Sequence, residues 1–317
     1  MKKVKHLLSI SDLTAKEIWE IFFLAKKLKK ELKTKGSNKP FLKNKQMAMV
    51  FEKPSLRTKL SFDIGVNQLG GHAVYFGPGE VGLGKRESGA DVAKVISGMA
   101  DIIVARVFNH KDLEELAKNS KACVVNALSN FEHPCQILAD LFTVFEIKGK
   151  LSGLTLAYVG DGENNVTHSL ALGCALLGVN FKCASPKGFW MDKTISDKAK
   201  KMASKTKAEI FETTDPKTTV KNADIVYTDI WVSMGDEKEK EKRLKIFKPY
   251  QVNPILMSLA KKDAIFMHCL PAYRGNEVTA DIIDGPQSVV FQEAENRLHV
   301  QKALLIFLLG GKYGTSK

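Results

Sequence analysis

The chain has 317 residues and a formal net charge of +13 at pH 7, and 44% of its residues are hydrophobic. No apolar run reaches the ~18 residues of a membrane-spanning helix, and the lysines are dispersed or lie on helix faces, outside any nucleic-acid-binding motif. A chain of this length can form one large or two medium domains. We expect a lysine-rich surface that mildly attracts anionic substrates, and no membrane or nucleic-acid partner.

The start of the chain and its cysteines predict a cytoplasmic protein. The first six residues are basic, but Ser11 and Asp12 interrupt any apolar core that a signal peptide would need. The cysteines number five, and none forms a C-x-x-C pair. Reduced thiols are therefore expected, without a disulfide framework or a zinc site.

The first half of the chain alternates predicted helices and strands. An amphipathic helix is predicted over 15–35, strands over 47–51, 73–76, 102–106 and 123–126, and helices over 58–69, 88–99, 111–118 and about 134–146. The helix over 58–69 has an apolar stripe of Leu60, Ile64 and Leu69. The alternation predicts a parallel sheet with helices on both faces. The Gly- and Lys-rich segment 148–153 marks a domain boundary.

The alternation restarts after that boundary. Strands are predicted over 155–159, 180–184, 209–211, 224–228 and 264–267, and a last helix over 293–309 is apolar enough to pack back on the first domain. The predicted fold is therefore α/β, with two doubly wound parallel-sheet domains and an interdomain cleft. The first domain spans 1–148 plus the C-terminal helix of about 293–317, and the second spans 149–292. Ligands of such folds bind beyond the carboxyl ends of the strands.

Polar residues follow the first strand, where it leads into a helix. Ser55, Arg57, Thr58 and Lys59 surround Leu56 at this point. A helix N-terminus with two hydroxyls and a guanidinium suits a phosphate or carboxylate. The same residues also fit an ordinary helix cap, since Ser and Thr are common N-caps.

Other strand ends carry similar clusters. They are Arg106, His133-Pro134-Cys135-Gln136, Gly160-Asp161-Gly162-Glu163-Asn164-Asn165, the segment from Asp229 to Gly235, and His268-Cys269-Leu270-Pro271, with Arg297 in the last helix. Each alone has a structural explanation such as a cap, a turn or a hydrogen-bonded histidine. Their repetition at strand ends predicts a functional site.

Two glycine loops suggest nucleotide binding as an alternative. The segment from Gly79 to Lys85 fits G-x-x-x-x-G-K, but Arg86 stands where a P-loop has its hydroxyl. The loop from Gly160 to Asn165 lacks the third glycine of a dinucleotide-binding turn. A catalytic Cys–His pair is a further alternative. His268 and Cys269 are adjacent in the sequence, and adjacent residues on a strand point to opposite faces, so they give no local signature of such a pair.

Taken together, these clusters resemble the ornithine carbamoyltransferases. The resemblance covers nearly the whole chain in family order and is carried by Ser55-Leu56-Arg57-Thr58, Arg106, His133-Pro134-Cys135-Gln136, Asp229 with Ser233-Met234-Gly235, and His268-Cys269-Leu270-Pro271. It implies transfer of a carbamoyl group from carbamoyl phosphate to L-ornithine, giving L-citrulline and phosphate, in arginine biosynthesis or breakdown. It implies no cofactor, no metal, and a homotrimer or a multiple of trimers. A sister enzyme acting on putrescine or an acylated ornithine is the nearest alternative, and a nucleotide-binding or non-catalytic binding protein is a more distant one.

The resemblance also implies roles in the first domain. Phosphate would lie against Ser55, Leu56, Arg57 and Thr58. Thr58, Arg106 and His133 would point at the carbonyl oxygen of carbamoyl phosphate, as an oxyanion hole does. The remaining carbamoyl phosphate contacts would come from Pro134, Cys135, Gln136, Cys269, Leu270 and Arg297, with Gln136 and the Leu270 carbonyl holding the carbamoyl amide.

Ornithine would bind in the second domain. Its α-amino and α-carboxyl groups would contact Asn165, Asp229, Ser233 and Met234, and Cys269 would contact the δ-amine. The catalytic residues would be Arg106, His133, Asp229 and Cys269. Because a free alkyl amine has a pKa near 10.4, we expect Cys269 and Asp229 to help deprotonate and orient the nucleophile.

The chain departs from the family pattern at three positions. Lys59 replaces the second arginine of the first motif, which keeps the charge but loses the planar fork. Gly82 stands where many relatives have a glutamine that reaches the neighbouring subunit's site. Glu163 lengthens the 160–165 loop by one residue, so Asn164 and Asn165 both remain candidates for the ornithine contact.

Overall fold

The computed structural model describes residues 6–232 and 239–310. The chain divides into two compact units, one from the start to Leu138 together with the residues from Asn296 onward, and one spanning Ala139–Glu295. Both divisions fall inside a helix, and the first precedes the predicted boundary at Lys148. The second unit therefore begins with helical residues that the sequence pattern alone assigned to the first domain.

The first unit contains the helices and strands that the pattern predicted, with ends shifted by a few residues. They are α1 (Ala15–Lys35), β1 (Gln46–Phe51), α2 (Leu56–Gln68), β2 (His72–Phe76), α3 (Gly89–Ser97), β3 (Ile102–Arg106), α4 (His110–Asn119), β4 (Cys123–Leu128) and the start of α5 (Pro134–Lys148). Thr14 accepts a hydrogen bond from the Glu17 backbone, and Gly36 ends α1 in a left-handed conformation, so α1 has both expected caps.

The first sheet is parallel and has the strand order β2-β1-β3-β4. The chain moves outward in one direction from β1 and in the other from β3, so the switch point lies between these two strands. Phe51 at the end of β1 lies opposite Arg106 at the end of β3. The residues that follow both strands therefore meet at the position where doubly wound folds bind ligands.

The outward face of α2 differs from the prediction. Leu60 is 48% exposed and Ile64 is 42% exposed, whereas the predicted third member of their stripe, Leu69, is fully buried. The helix instead buries a face that contains Phe62, Gly65 and Val66, and the Cα of Gly65 lies so close to α12 that an added Cβ would be 3.3 Å from the Lys302 side chain. The face that packs inward is therefore the one that carries the glycine, and Leu60 and Ile64 lie outside it.

The second unit repeats the alternation of strands and helices. Its elements are β5 (Thr155–Val159), α6 (Asn165–Leu177), β6 (Asn180–Ala184), α7 (Lys193–Thr206), β7 (Ile210–Thr213), α8 (Pro216–Val220), β8 (Ile225–Tyr227), α9 (Lys240–Phe247), α10 (Pro254–Met257), β9 (Ile265–Met267), α11 (Ala280–Ile283) and the start of α12 (Val290–Leu309). The sheet is parallel with the order β7-β6-β5-β8-β9. Its switch point lies between β5 and β8, so the loops after these strands converge. The prediction of two parallel-sheet α/β domains is confirmed.

The C-terminal helix packs on the first unit, as predicted. The Cys123 thiol lies 3.8 Å from the carbonyl oxygen of Leu308. Lys302 is fully buried and donates hydrogen bonds to Asn38 and Gln68, each at 2.7 Å. Burial lowers the pKa of Lys302 to about 8, because an ammonium group loses hydration there.

Among the described residues, no helix combines the length and the apolar character that crossing a bilayer would require. The five cysteines carry free thiols, four of them buried.

Candidate active site

The first cluster lies at the N-terminus of α2. The Ser55 hydroxyl accepts a hydrogen bond from the Thr58 backbone N–H at 3.3 Å, so Ser55 is the N-cap. Thr58 is fully buried, and its hydroxyl accepts a hydrogen bond of 2.7 Å from Arg297 of α12. Leu56 turns its side chain outward and is 70% exposed, so it can offer a ligand only its backbone. The capping interpretation and the anion-site interpretation are therefore compatible.

His133 lies close to the cations of the first unit. It is 4% exposed and precedes α5. Burial lowers its pKa well below the ordinary value, and the charges of Arg297, Arg106 and Arg57 lower it further. The imidazole is therefore neutral at physiological pH, so it can donate one hydrogen bond without adding a fourth positive charge.

Residues 134–136 form the first turn of α5. Pro134 is its first residue, which suits a position that needs no N–H donor. The Cys135 thiol points at the Asn126 carbonyl oxygen at 3.3 Å, and burial raises its pKa to about 12. This thiol is a structural group, so a substrate contact by Cys135 could come only from its backbone. Gln136 is 1% exposed.

Lys59, which replaces the second arginine of the first motif, contacts an aromatic ring. Its ammonium nitrogen lies 3.7 Å from the centre of the Tyr75 ring, and that ring packs edge-on against Phe51 at 5.3 Å. This cation–π contact joins the first turn of α2 to the edge strand β2. Lysine serves this contact well, since a compact ammonium needs no fork geometry.

We expect Lys59→Met to lower the free energy of unfolding by about 0.5–1 kcal/mol, the value of a partly exposed cation–π pair. Urea denaturation measures this loss, and Lys59→Arg should restore it. Lys201→Met, an exposed change on α7, is the matched control. In a Tyr75→Leu background the Lys59→Met change should cost almost nothing, and an undiminished cost there would contradict the contact.

In the second unit the structure brings Asp229, Cys269 and Asn164 together at the β5–β8 switch point. One carboxylate oxygen of Asp229 accepts two hydrogen bonds. The Ile230 backbone N–H donates at 2.8 Å and the Cys269 thiol donates at 3.2 Å. The other carboxylate oxygen accepts from the Asn164 amide at 2.9 Å. Asn164 also caps α6, whereas Asn165 is the first residue of that helix and half-buried.

The electrostatics of this group give each member a defined proton state. Burial raises the pKa of Asp229, but His268 and the hydrogen bonds from Cys269, Ile230 and Asn164 oppose the shift. Burial and the charge of Asp229 raise the pKa of the Cys269 thiol well above its ordinary value. Cys269 is therefore a neutral donor to Asp229, and of the two groups Asp229 is the one that can accept a proton.

Backbone geometry fixes the segment that carries Cys269. Leu270 has a left-handed φ of 58°, which is unusual for a leucine, and its N–H donates to the His268 imidazole at 2.9 Å. The other imidazole nitrogen faces buried Glu277 at 3.4 Å. The donor atoms of Asp229, His268 and Cys269 lie within 4.8 Å of one another, as a metal ion would require. Because the thiol keeps its proton and the imidazole accepts from Leu270, we interpret the group as a hydrogen-bonded cluster.

The structure adds a residue that the sequence pattern did not single out. Arg243 of α9 is 5% exposed, forms an ion pair with Asp161 and donates to the Trp231 carbonyl oxygen at 2.6 Å. Its guanidinium also lies 5.0 Å from the Phe189 ring and 5.2 Å from the Phe247 ring. Arg243 thus ties the loop after β5 to the segment after β8. Its only sequence signal is an arginine within a run of lysines.

Gly162 explains the shape of the 160–165 loop. The Gly162 backbone N–H donates a hydrogen bond of 3.0 Å to the carbonyl oxygen of Phe189. A Cβ at position 162 would collide with that oxygen. The glycine therefore allows close approach of two backbones, and no dinucleotide turn is needed to account for it.

Two predicted site residues, Ser233 and Met234, lie outside the described part of the chain.

The glycine loop from Gly79 to Lys85 has no helix N-terminus at its lysine. Gly82 and Gly84 have left-handed φ values of 67° and 68°, and α3 begins only after Ser88. This arrangement differs from a P-loop, whose lysine opens a helix.

The chain matches two family models over nearly its whole length. Residues 5–146 match the carbamoyl-P binding domain of aspartate/ornithine carbamoyltransferase, and residues 152–308 match the Asp/Orn binding domain.

Named relatives agree with the models. The ornithine carbamoyltransferase of Caldicellulosiruptor saccharolyticus is 49% identical over 309 residues, covering 98% of this chain and 100% of that protein. That of Archaeoglobus fulgidus is 48% identical over 307 residues, covering 97% and 98%. The solved structure of ornithine carbamoyltransferase from Pyrococcus furiosus superposes with a TM-score of 0.94 at 47% identity, covering 98% of each chain.

Proposed function

The chain belongs to the aspartate/ornithine carbamoyltransferase family, and we propose how its residues carry out the reaction of an ornithine carbamoyltransferase. The enzyme transfers the carbamoyl group of carbamoyl phosphate to the δ-amine of L-ornithine and releases L-citrulline and phosphate. The observation that carries the assignment of residues is the neutral, buried His133 under the combined field of Arg57, Arg106 and Arg297.

Carbamoyl phosphate binds the first predicted domain, residues 1–148 with the last helix. Its phosphate accepts hydrogen bonds from the α2 N-terminus, Ser55 and Arg57, with the N–H groups of the first helical turn adding their dipole. Arg297, which already holds the Thr58 hydroxyl, contributes a further cation. This cluster supports a site for a dianion rather than for a neutral ligand.

The carbonyl oxygen of carbamoyl phosphate gains negative charge when the amine attacks. Arg106, His133 and Thr58 donate to that oxygen, so the fixed donors stabilise the transition state more than the ground state. Pro134, Cys135 and Gln136 surround the carbamoyl amide, with Gln136 accepting from it. The backbone carbonyl of Leu270 supplies the second acceptor.

Ornithine binds the second predicted domain, residues 149–292. The α-amino and α-carboxyl groups contact Asn165, Asp229, Ser233 and Met234. The Asn164 side chain already donates to Asp229 and accepts from the Val166 backbone N–H as the cap of α6. Asn165 is therefore favoured for the direct contact with ornithine. Cys269 orients the δ-amine, and Asp229 accepts its proton, in keeping with their proton states.

Product formation on four amines tests the assignment. The protein is incubated with carbamoyl phosphate and ornithine, putrescine, acetylornithine or aspartate, and ureido product is measured. We expect product with ornithine alone, in agreement with the ornithine carbamoyltransferases that the chain matches. Putrescine as the preferred acceptor would overturn the proposed contacts to the α-carboxylate.

We also propose that the chain assembles as a homotrimer or a multiple of trimers. An apolar row on α2, formed by Leu56, Leu60 and Ile64, is exposed beside Val74 of the edge strand β2. Such a row at a sheet edge is suited to contact with another copy of the chain.

Light scattering on a size-exclusion column should give a mass of three times 35.1 kDa, or a multiple of it. Replacing both Leu60 and Ile64 by Glu should give monomers, because each interface would bury unpaired carboxylates. Ile255→Glu alters an exposed apolar residue of the second unit, 76% accessible, and should leave the mass unchanged. A monomeric parent protein would contradict the proposal.

A cytoplasmic location completes the proposal, with the buried free thiols as its support. The reaction requires no cofactor and no metal, since phosphate leaves readily and the donors are already oriented.

A further inference from the structure

Two carboxyl groups that the proposed mechanism does not use lie together inside the second unit. Asp140 of α5 and Glu293 of α12, here called the buried acid pair, are both fully buried. The hydroxyl of Tyr227, the last residue of β8, is 3.1 Å from an Asp140 oxygen and 3.2 Å from a Glu293 oxygen. The two carboxyls are also hydrogen-bonded to each other.

The geometry limits the number of protons on this group. A phenol has one hydrogen and can donate it to only one carboxylate. A hydrogen bond between two carboxyls likewise needs a proton on one of them. With both acids ionised, at least one of these close oxygen–oxygen contacts would join two acceptors, at a high cost in a site that excludes water.

We propose that Asp140 and Glu293 share one proton at neutral pH, and that Glu293 in this state positions the His268-Cys269-Leu270 segment for ornithine. The link is direct, since the second oxygen of Glu293 accepts a hydrogen bond from the His268 backbone N–H at 3.1 Å. Glu293 is thus a positioning residue that acts through Cys269 and Asp229. The kinetic part of this inference rests on the proposed function.

The surroundings favour retention of the proton. Burial, the charge of Asp140 and the hydrogen bond between the acids raise the pKa of Glu293 well above its ordinary value. Tyr227 of β8, Cys269 after β9 and Cys174 of α6 are titratable groups that interact with the pair, and Asp229 acts on the first two. All of these become anions when they ionise, so a second charge on the pair would repel the cluster around Asp229.

Infrared spectroscopy tests the shared proton without reference to activity. At about pH 7.5 exposed carboxyls are ionised, so a C=O stretch of a protonated acid reports a buried one. The parent protein should show this band, and Glu293→Gln and Asp140→Asn should each remove it. Glu295→Gln, an exposed change on the same helix, should leave it. Absence of the band from the folded parent protein would overturn the proposal.

Steady-state kinetics test the positioning role. Glu293→Gln keeps an oxygen for the His268 N–H and an amide donor in place of the shared proton, so the ornithine KM should change by less than about threefold. Glu293→Ala removes both and should raise the ornithine KM about tenfold or more, with a smaller rise in the carbamoyl phosphate KM, because only the Leu270 carbonyl of this segment contacts that substrate. An equal rise in both KM values, or an ornithine KM unchanged in Glu293→Ala, would overturn the positioning role.

Circular dichroism and thermal melts on each variant check that it has the same fold as the parent protein. The two tests fail independently. A parent protein that makes no citrulline refutes the proposed function and leaves the infrared result standing, whereas an active parent protein without the band refutes the shared proton alone.

Discussion

Arg106→Met should lower kcat by about a hundred- to a thousandfold, the usual effect of removing one donor from an oxyanion site. Arg106 ends β3, is 7% exposed and lies opposite Phe51 across the sheet switch point. Its side chain is buried before substrate binds, so we expect little reorganisation during the reaction. The ornithine KM should stay near its parent value, because the proposed ornithine contacts lie in the second unit.

The same variant should also change the pH dependence. Arg106 is one of three cations that lower the pKa of His133. With its charge removed, the His133 pKa rises, and the acid limb of the kcat profile should move to higher pH. Arg106→Lys keeps a charge but loses the planar fork, so its kcat and its acid limb should lie between those of the parent protein and Arg106→Met. Lys111→Met, an exposed neighbour on α4, controls for net charge, and a parent-like kcat in Arg106→Met would contradict the role of the guanidinium.

Most strands could be predicted from the sequence because their burial is continuous. Ile102–Arg106 and Thr155–Val159 have the predicted bounds, and buried parallel strands read as nearly continuous apolar runs. Site residues at strand ends were predictable for the same reason, since a polar cluster after an apolar run marks the carboxyl end of a strand.

Tertiary contacts determined the features that the sequence did not reveal. The outward face of α2 depends on close packing of Gly65 against α12, whereas periodicity alone grouped Leu60 and Ile64 with Leu69 in one apolar stripe. The burial of Arg243 depends on Phe189 and Asp161, which are distant in the sequence, as well as on Phe247 one helical turn away. A lysine-rich run gives no local sign that one of its cations is enclosed.

The two units also differ in charge in a way that separates the substrates. The first surrounds a neutral imidazole with three guanidinium groups, which suits a phosphate dianion. The second holds the carboxylate of Asp229 beside a protonated thiol, which suits an amine. An amino acid with two cationic amines is therefore repelled by the first cluster and attracted by the second.

Asp229→Asn should lower kcat/KM for ornithine by about a hundred- to a thousandfold, with little change in the carbamoyl phosphate KM. Asp229 accepts hydrogen bonds on both oxygens, from Cys269 and Asn164. An asparagine would turn its NH₂ toward one of these donors, and it cannot accept a proton from the δ-amine. The loss therefore combines misorientation of the nucleophile with removal of its proton acceptor.

The pH profile separates Asp229 from Cys269. Because burial raises the pKa of Asp229, the parent kcat/KM should fall as pH drops through this raised pKa, and Asp229→Asn should lose that acid limb. The Cys269 pKa is raised well above its ordinary value, so the thiol acts as a donor throughout the assay range. Cys269→Ser keeps a donor and should retain the parent limb, whereas Cys269→Ala should raise the ornithine KM. A shifted limb in Cys269→Ser would show instead that the thiol itself ionises during catalysis.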